Sequence, residues 1–244
     1  MIGLFAIAAA VVAMNPSLQA VVREFSAQGE PGCVSQVTAA LTASPDLTER
    51  YNALAASGVL KGVVLAAGPG RFGASHKDGV ITLTPDFVKS QTPTSGDRDQ
   101  AVRNLVFILG YEAAKLQSAS AIAAADAEGV KRALAATPKG GSIDATNLVS
   151  ESIQLHIEDE ARAYLQGWSD EVDAAVVAKG APLTALDEFQ LLRNGRNTQP
   201  LVKAAILPED QRLVPEATFR FPASARNMKA VVSVLGQSQV PDFM

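Results

Sequence analysis

A single glutamate, Glu112, lies inside the apolar segment from Leu105 to Leu116, and it constrains the fold more than any other feature of the chain. At about 100° per residue, Glu112 shares one helix face with the leucines at positions 105, 109 and 116, the spacing of a helix that faces a core. An isolated charge in a core is too costly to be retained. The sequence therefore predicts that Glu112 is paired, bound to a metal or protonated.

The composition of the 244 residues is that of a folded, mostly helical chain. Apolar residues make up 48% and charged residues 19%, so the chain has enough material for a sizeable core. Aromatic residues are only 5%, and alanine dominates the apolar class, which favours packed helices over a β-sandwich. The formal net charge of −4, without a basic cluster, argues against nucleic acid or an anionic membrane surface as the main partner.

Two further features limit the kind of protein this is. The one cysteine, Cys33, excludes an intramolecular disulfide and a cysteine-rich zinc site. The apolar run from Ile2 to Met14 is shorter than the roughly 20 residues of a membrane-spanning helix. It also lacks the basic start and cleavage site of a signal peptide. We expect a buried N-terminal helix there, with no membrane span, and the localisation stays open.

The pattern along the chain predicts an α+β fold in three parts that form one compact unit. Residues 1–60 are predicted to be a helical layer, in which Asn15-Pro16 and Ser44-Pro45 cap and start helices. Residues 61–180 are predicted to contain a small sheet or hairpin packed on two long helices. Residues 181–244 are predicted to be an extension with a helix over 186–193 and short strands near 217–221 and 231–235.

The middle part contains the predicted sheet and both long helices. Strands are predicted at 63–65 and 79–84, with the turn at 70–73 and His76 in the loop before the second strand. One long helix is predicted from Asp97 or Asp99 to about residue 125, continuing over 131–136. The second is predicted over 147–179.

Carboxylates on the two long helices are the candidate chemical groups. The predicted apolar face of the second helix holds the following residues: Ile153, Ile157, Ala161, Tyr164 and Trp168. With Ile153 as the reference, Glu160 lies about 60° and Glu158 about 100° from the centre of that face, while Asp159 is expected to point outward. Glu160 is therefore the better candidate to face Glu112. Two facing carboxylates in a poorly solvated site raise each other's proton affinity, which suits acid/base chemistry.

Two short motifs carry a resemblance to a known family. The stretch Tyr111-Glu112-Ala113-Ala114-Lys115 has the spacing of HExxH, with the glutamate retained and both histidines replaced. The later stretch from Glu160 to Trp168 is similar to the helix that supplies the third metal ligand. Further short similarities occur at 44–47, 79–83 and 226–231. Together these motifs span most of the chain, which resembles zincin-type metallopeptidase domains of bacterial effectors or toxins.

The resemblance implies a set of site residues and partners. Glu112 and Glu160 correspond to the catalytic carboxylate and the third ligand, and a zincin-like pocket would be formed around them by six further residues: Tyr111, Lys115, Glu158, His156, Tyr164 and Trp168. Because a protonated lysine repels a metal and tyrosine ionises near pH 10, the resemblance implies no metal and no cofactor. It also implies a protein partner (a target or an immunity protein) or peptidoglycan, and export by a specialised secretion system.

Several alternatives stay open from the sequence. The chain is a degenerate zincin-like domain that binds a partner, a metal-free hydrolase acting on peptidoglycan through Glu112 and Glu160, or a helical interaction protein in which Glu112 and Lys115 form a core ion pair. His156 is either a replacement ligand or a partly exposed helix histidine. Tyr164 and Trp168 are core residues or walls of a site, and residues 193–197 are expected to form an exposed polar turn.

Overall fold

A computed structural model describes residues 12–66, 74–92, 97–137, 144–215 and 220–238 of the chain. These residues form a mostly helical α+β structure with one small sheet, as the sequence predicted. The predicted N-terminal helix, the turn at 70–73 and most of the strand at 217–221 lie outside the described residues. Within the described part of the chain, no helix is both long enough and apolar enough to cross a membrane.

The helices and strands follow one another in a fixed order along the chain. The helices are α1 (Pro16–Gln28), α2 (Pro31–Ala43), α3 (Pro45–Ala56), α4 (Pro85–Ser90), α5 (Arg98–Ala136), α6 (Thr146–Lys179), α7 (Ala185–Asn194), α8 (Gln199–Ala205) and α9 (Ala225–Ser238). The strands, all between α3 and α4, are β1 (Gly62–Leu65), β2 (Ala74–Lys77) and β3 (Val80–Leu83).

Local sequence signals explain where several helices begin and end. The side chains of Asn15 and Ser44 accept hydrogen bonds from backbone N–H groups in the first turns of α1 and α3, and a proline follows each of them. Such caps satisfy donors that have no partner within the helix. At the C-terminal end of α6, Gly180 adopts a left-handed conformation with φ of 65°, which glycine tolerates best. These signals made the helix boundaries predictable.

The sheet has the order β1-β3-β2, in which β1 is parallel and β2 antiparallel to β3. The prediction that His76 lies in a loop is wrong, because it lies in β2 opposite Ile81. The strand sequence Ala-Ser-His-Lys has no β-branched or aromatic residue, so its propensity gave no signal. The following Asp78-Gly79 pair, with φ of 52° and 87°, makes a two-residue hairpin turn. This pair was the local signal from which the strand before it could have been predicted.

Two hydrophobic cores meet at α5. One core contains α1 to α4, the sheet and one face of α5. The other contains Phe107 of α5 and residues of α6, α7, α8 and α9. The prediction of a strand at 231–235 is wrong, because Val231, Val234 and Leu235 lie on the buried face of α9. Their i, i+3, i+4 spacing fits a helix, and short apolar runs do not separate the two states.

The long helices α5 and α6 approach each other closely at two glycines. A Cβ atom on Gly167 would lie 2.5 Å from the carbonyl oxygen of Phe107, and a Cβ atom on Gly110 would collide with the carboxylate of Asp170. Backbones that come this close leave no room for a side chain, so glycine is required at both positions. This contact fixes the axial position of one helix against the other.

The distal ends of α5 and α6 extend beyond both cores. We call residues 117–137 and 144–158 the arm, and none of them is buried. Ile153, which the sequence placed on the apolar face of α6, has 53% of its surface exposed. That prediction is wrong because the helical period continues into a region where no third layer of the described structure covers it.

A fully buried acid, Glu171, stands apart from the other carboxylates of α6. Its residue is 1% exposed, and its Oε1 has no hydrogen-bond partner. Burial raises the pKa of Glu171 to about 8, although the charge of Arg103 works in the opposite direction. The folded state therefore favours the protonated form of Glu171.

We expect Gly167→Ala to lower the free energy of unfolding by about 1–3 kcal/mol, because the methyl group must displace backbone. The matched control is Gly129→Ala on α5, where a Cβ atom meets nothing within 4 Å. This control should raise the stability by up to about 1 kcal/mol through helix propensity. Urea unfolding of both variants tests the contact, and equal effects would contradict it.

We expect Glu171→Gln to change how stability depends on pH. The pKa of this carboxyl is raised on folding from 4.5 to about 8, so the folded wild type binds an extra proton between these values and loses stability as pH rises through them. The variant should lack this loss and gain stability relative to wild type most strongly above pH 8. Thermal melts from pH 4 to 9 measure the difference, and parallel profiles would show that Glu171 is not protonated in the fold.

Candidate functional site

The edge strand β2 places a histidine on the buried glutamate. Ala74 and His76 point to the same side of the sheet because strand side chains alternate. His76 Nδ1 lies 2.8 Å from Glu112 Oε2, and the Glu112 side chain is 6% exposed. A carboxylate accepts hydrogen bonds only, so His76 donates in this contact. Glu112 is thus paired, as the sequence required, but its partner is the histidine that sequence reasoning had assigned no role.

Three side chains from α5 and α6 converge one turn away from this pair. Tyr111 Oη donates a hydrogen bond of 2.5 Å to Glu160 Oε1, and Lys115 Nζ donates to Glu160 Oε2 over 3.3 Å. Lys115 Nζ also lies 2.8 Å from Asp159 Oδ2. We call Tyr111, Glu160 and Lys115 the Tyr–Glu–Lys cluster. Its carboxylate is held by a phenol on one oxygen and an ammonium on the other.

Both donors of the Tyr–Glu–Lys cluster stay protonated at neutral pH. Burial raises the pKa of Tyr111, and the adjacent Glu160 raises it further. Burial of Lys115 favours the neutral amine, but the hydrogen bond to Asp159 and the charge of Glu160 outweigh it, and the pKa of Lys115 is raised. The cluster is therefore a stable set of a neutral phenol, a cation and a carboxylate.

A cavity of about 310 Å³ contains both glutamates in its lining. Aromatic side chains form much of its wall, and Tyr164 contacts Tyr111 edge to face, with ring centroids 5.3 Å apart. Burial raises the pKa of Tyr164 to about 12. We call this cavity the cleft. Glu112 and Glu160 open into the same cleft, yet each has its own donors instead of sharing a proton.

A loop after α7 forms one side of the cleft. Asn197 Nδ2 donates to Gln91 Oε1 and to the carbonyl of Asn104, each over 3.3 Å, and Arg196 lines the rim. The prediction of an exposed polar turn is wrong for Gly195, which is buried. A Cβ atom there would lie 2.6 Å from a Thr198 methyl group, so the turn packs against itself. Only the fold brings this loop to α5, so no local sequence signal marks it.

Three residues predicted for the pocket lie elsewhere. Glu158 accepts a hydrogen bond from Gln154 on the solvent side of α6. His156 is on the arm, where its Nε2 lies 2.9 Å from Asp126 Oδ2. Trp168 is fully buried in the second core, stacked on Phe221 with centroids 5.9 Å apart. None of the three lines the cleft.

Asp159, which was expected to point outward, is only 4% exposed and faces Lys115. That prediction is wrong because α6 has a second buried face. Ala163 and Asp170 lie within about 40° of Asp159 at 100° per residue and are fully buried. Asp170 also approaches Gly110 of α5. A face of small and acidic residues shows no apolar period, so the sequence pattern did not mark it. Glu160 reaches α5 through its contacts with Tyr111 and Lys115.

The residues at the zincin-like positions do not fit a zinc ion. Zinc binds thiolate, neutral imidazole or carboxylate, and the Tyr–Glu–Lys cluster supplies one carboxylate beside a protonated phenol and an ammonium. Within the described residues, no group of three or more histidine, cysteine, aspartate or glutamate side chains is arranged to hold a metal. No step of chemistry at this site is therefore assigned to a metal.

Comparison of the chain with protein-family models, curated proteins and solved structures finds no match in any of the three.

We expect Lys115→Met to destabilise the protein by roughly 3 kcal/mol, because it removes the nearer of the two cations that contact the buried Asp159 and the ammonium that pairs with Glu160. Arg162→Met is the matched control, since Arg162 contacts the same Asp159 at 3.3 Å but is half exposed. It should cost less than about 1 kcal/mol. Chemical denaturation compares the two, and similar losses would mean that Lys115 is not the main partner.

Proposed function

We propose that the chain is a zincin-like domain in which the Tyr–Glu–Lys cluster takes the place of a zinc centre, and that it acts by binding a protein or cell-wall partner in the cleft. The proposal extends to a bacterial effector or toxin exported by a specialised secretion system, as the sequence resemblance implies. Its catalytic carboxylate position, Glu112, is retained beside the cluster.

One observation supports the proposal most. The two positions that correspond to the histidines of HExxH, 111 and 115, both direct their side-chain ends at Glu160, the position that corresponds to the third ligand. Three side chains that meet at one point are what a metal centre requires of a scaffold. Here the same convergence is filled by hydrogen bonds, which removes the need for an ion.

The cleft has the features of a binding site for an extended chain. Aromatic and aliphatic side chains line it together with a few polar groups, as in many ligand sites. The strand β2 is an edge of the sheet, and its Ala74 lines the cleft. Edge strands bind extended peptides through main-chain hydrogen bonds. A peptide, or the peptide stem of peptidoglycan, is therefore the chemical class we assign to the partner.

A second function, metal-free hydrolysis, is favoured by the His76–Glu112 contact. Nδ1 of His76 donates to Glu112 at 2.8 Å, which leaves Nε2 as the nitrogen that can accept a proton. A histidine oriented by a carboxylate in this way is the usual arrangement of a general base. In this alternative, His76 removes the proton from water, and Glu112 stabilises the imidazolium that forms.

We expect the double variant Tyr111→His/Lys115→His to bind one zinc ion per chain, because two imidazoles one turn apart then face the Glu160 carboxylate. The matched control is Gln117→His/Ala121→His, which has the same spacing on an exposed part of the arm away from the apolar stripe, with only alanines one turn before and after it. Titration calorimetry with zinc chloride should give at least tenfold tighter binding for the first variant.

Adding Glu160→Ala to the double variant should reduce its zinc affinity to that of the arm control. Equal affinities for the double variant and the arm control would contradict the convergence at Glu160. They would also remove the main support for a zincin-like site.

Purified peptidoglycan sacculi separate the two functions. Under the binding function we expect the wild type to sediment with sacculi, or to bind a soluble stem peptide in titration calorimetry, without releasing soluble fragments. Under the hydrolytic function, fragments are released, and both Glu112→Gln and His76→Gln abolish the release. His156→Gln is the matched control, because it removes the other histidine–carboxylate pair, outside the cleft. Release that survives both Glu112→Gln and His76→Gln would exclude the hydrolytic pair.

A further inference from the structure

The arm presents an apolar face that nothing in the described structure covers. Four large apolar residues on it are strongly exposed: Val130 at 60%, Leu134 at 71%, Val149 at 54% and Ile153 at 53%. Each pair is separated by four residues on its helix, so each forms a stripe. Val130 and Val149 line one groove of about 600 Å³ between α5 and α6. The two stripes thus border the same groove.

The charged groups of the arm lie away from this face or are already paired. Arg132 pairs with Glu151 at 2.8 Å. At 100° per residue, Arg132 lies 200° from Val130 and Glu151 lies 200° from Val149, so this ion pair marks the opposite face. Next to the apolar stripes, Asp126 is held by Ser152 and by His156. The face therefore carries little net charge and suits an apolar partner more than a charged one.

The stripe on α5 is complementary to itself. Towards the body of the protein it continues as the small residues Ala119 and Ala123, and towards the tip as the large residues Val130 and Leu134. A two-fold axis that crosses α5 midway between residues 126 and 127 would place Leu134 of one copy against Ala119 of the other, and Val130 against Ala123. In each pair, the two residues lie at equal distances from this midpoint along the helix. Large side chains then meet small ones in both directions, which is the pattern of an isologous interface.

The size of the face is at the lower end of the range for such an interface. Twenty helical residues extend about 30 Å, and two adjacent helices are about 20 Å wide, so the face offers roughly 600 Å² per copy. Specific interfaces bury about 1,200–2,000 Å² in total, so two copies of the face reach the lower end of that range, which fits a dimer that dissociates on dilution. Two arms of two helices each also make a four-helix bundle. In such a bundle, the apolar faces of both arm helices are buried in a shared core.

We infer that the arm is a dimerisation element, and that its apolar face pairs with the same face of a second copy of this chain in a two-fold four-helix bundle. The stripe residues do not line the cleft, although Ile153 borders a smaller cavity that Lys115 and Glu160 also line.

Sedimentation equilibrium of the full chain tests this inference. The expected mass is twice 25.4 kDa, and dilution should return it to the monomer mass. Val130→Glu and Ile153→Glu should each weaken the dimer by about tenfold or more, since a charge replaces an apolar contact at its centre. Ile206→Glu is the matched control, because Ile206 is 80% exposed but lies outside the arm, and this variant should dimerise like wild type.

Circular dichroism of each variant confirms that it is folded, and the two arm variants are independent tests. A monomer mass for wild type at every concentration would overturn the inference. A dimer that both arm variants leave unchanged would also overturn it. A mass that keeps rising beyond the dimer would show open assembly instead of a closed pair and would overturn it as well.

Discussion

The close approach of α5 and α6 is the contact on which the rest of the structure depends. It requires the two glycines at positions 110 and 167, above which the backbone of one helix and the carboxylate of Asp170 occupy the space of a side chain. The two helices are antiparallel. Lys115, five residues after Gly110, and Glu160, seven residues before Gly167, therefore lie on the same side of this contact. The spacing of the Tyr–Glu–Lys cluster is a consequence of this contact.

Buried acids on α6 accept hydrogen bonds from the N-terminal helical layer and from the C-terminal extension. Asp170 accepts a hydrogen bond of 2.5 Å from Arg50 of α3, and burial raises the pKa of Asp170 to about 6 although the arginine opposes the shift. One turn later, Asp173 accepts hydrogen bonds from Ser44 and from Arg220. Each of these carboxylates has a donor from another part of the chain. One helix thus links the N-terminal layer and the C-terminal extension through charge-assisted hydrogen bonds.

Local signals explain how far the sequence predicted the fold. Caps followed by prolines marked short helices such as α1 and α3, and the 3.6-residue period with Asp97 and Gly180 at its ends marked the long ones, because these features act within one or two turns. The strand β2 was missed because its residues have low strand propensity and only the Asp-Gly turn indicated it. The exposure of Ile153 was missed because a helical period does not tell where a neighbouring layer ends.

The part of the site on the two long helices was predictable, since Tyr111, Glu160 and Tyr164 line the cleft together, but the contribution of the sheet and of the loop after α7 was not. The requirement that Glu112 be paired follows from its position among leucines, and the structure meets it. The identity of the partner, His76, depends on the sheet register and on the packing of the sheet on α5, which are long-range features. The same is true of Asp159 and of the loop at 195–198, whose positions are set by tertiary contacts.

We propose that hydrogen bonds among Tyr111, Glu160 and Lys115 occupy the place that a zinc ion has in zincin-type enzymes. Inductively coupled plasma mass spectrometry of the wild-type protein, purified without chelators, measures its metal content and tests this proposal. We expect far less than one zinc ion per chain, unchanged after incubation with excess zinc and buffer exchange. One tightly held zinc ion per chain, lost in Glu160→Ala, would contradict it.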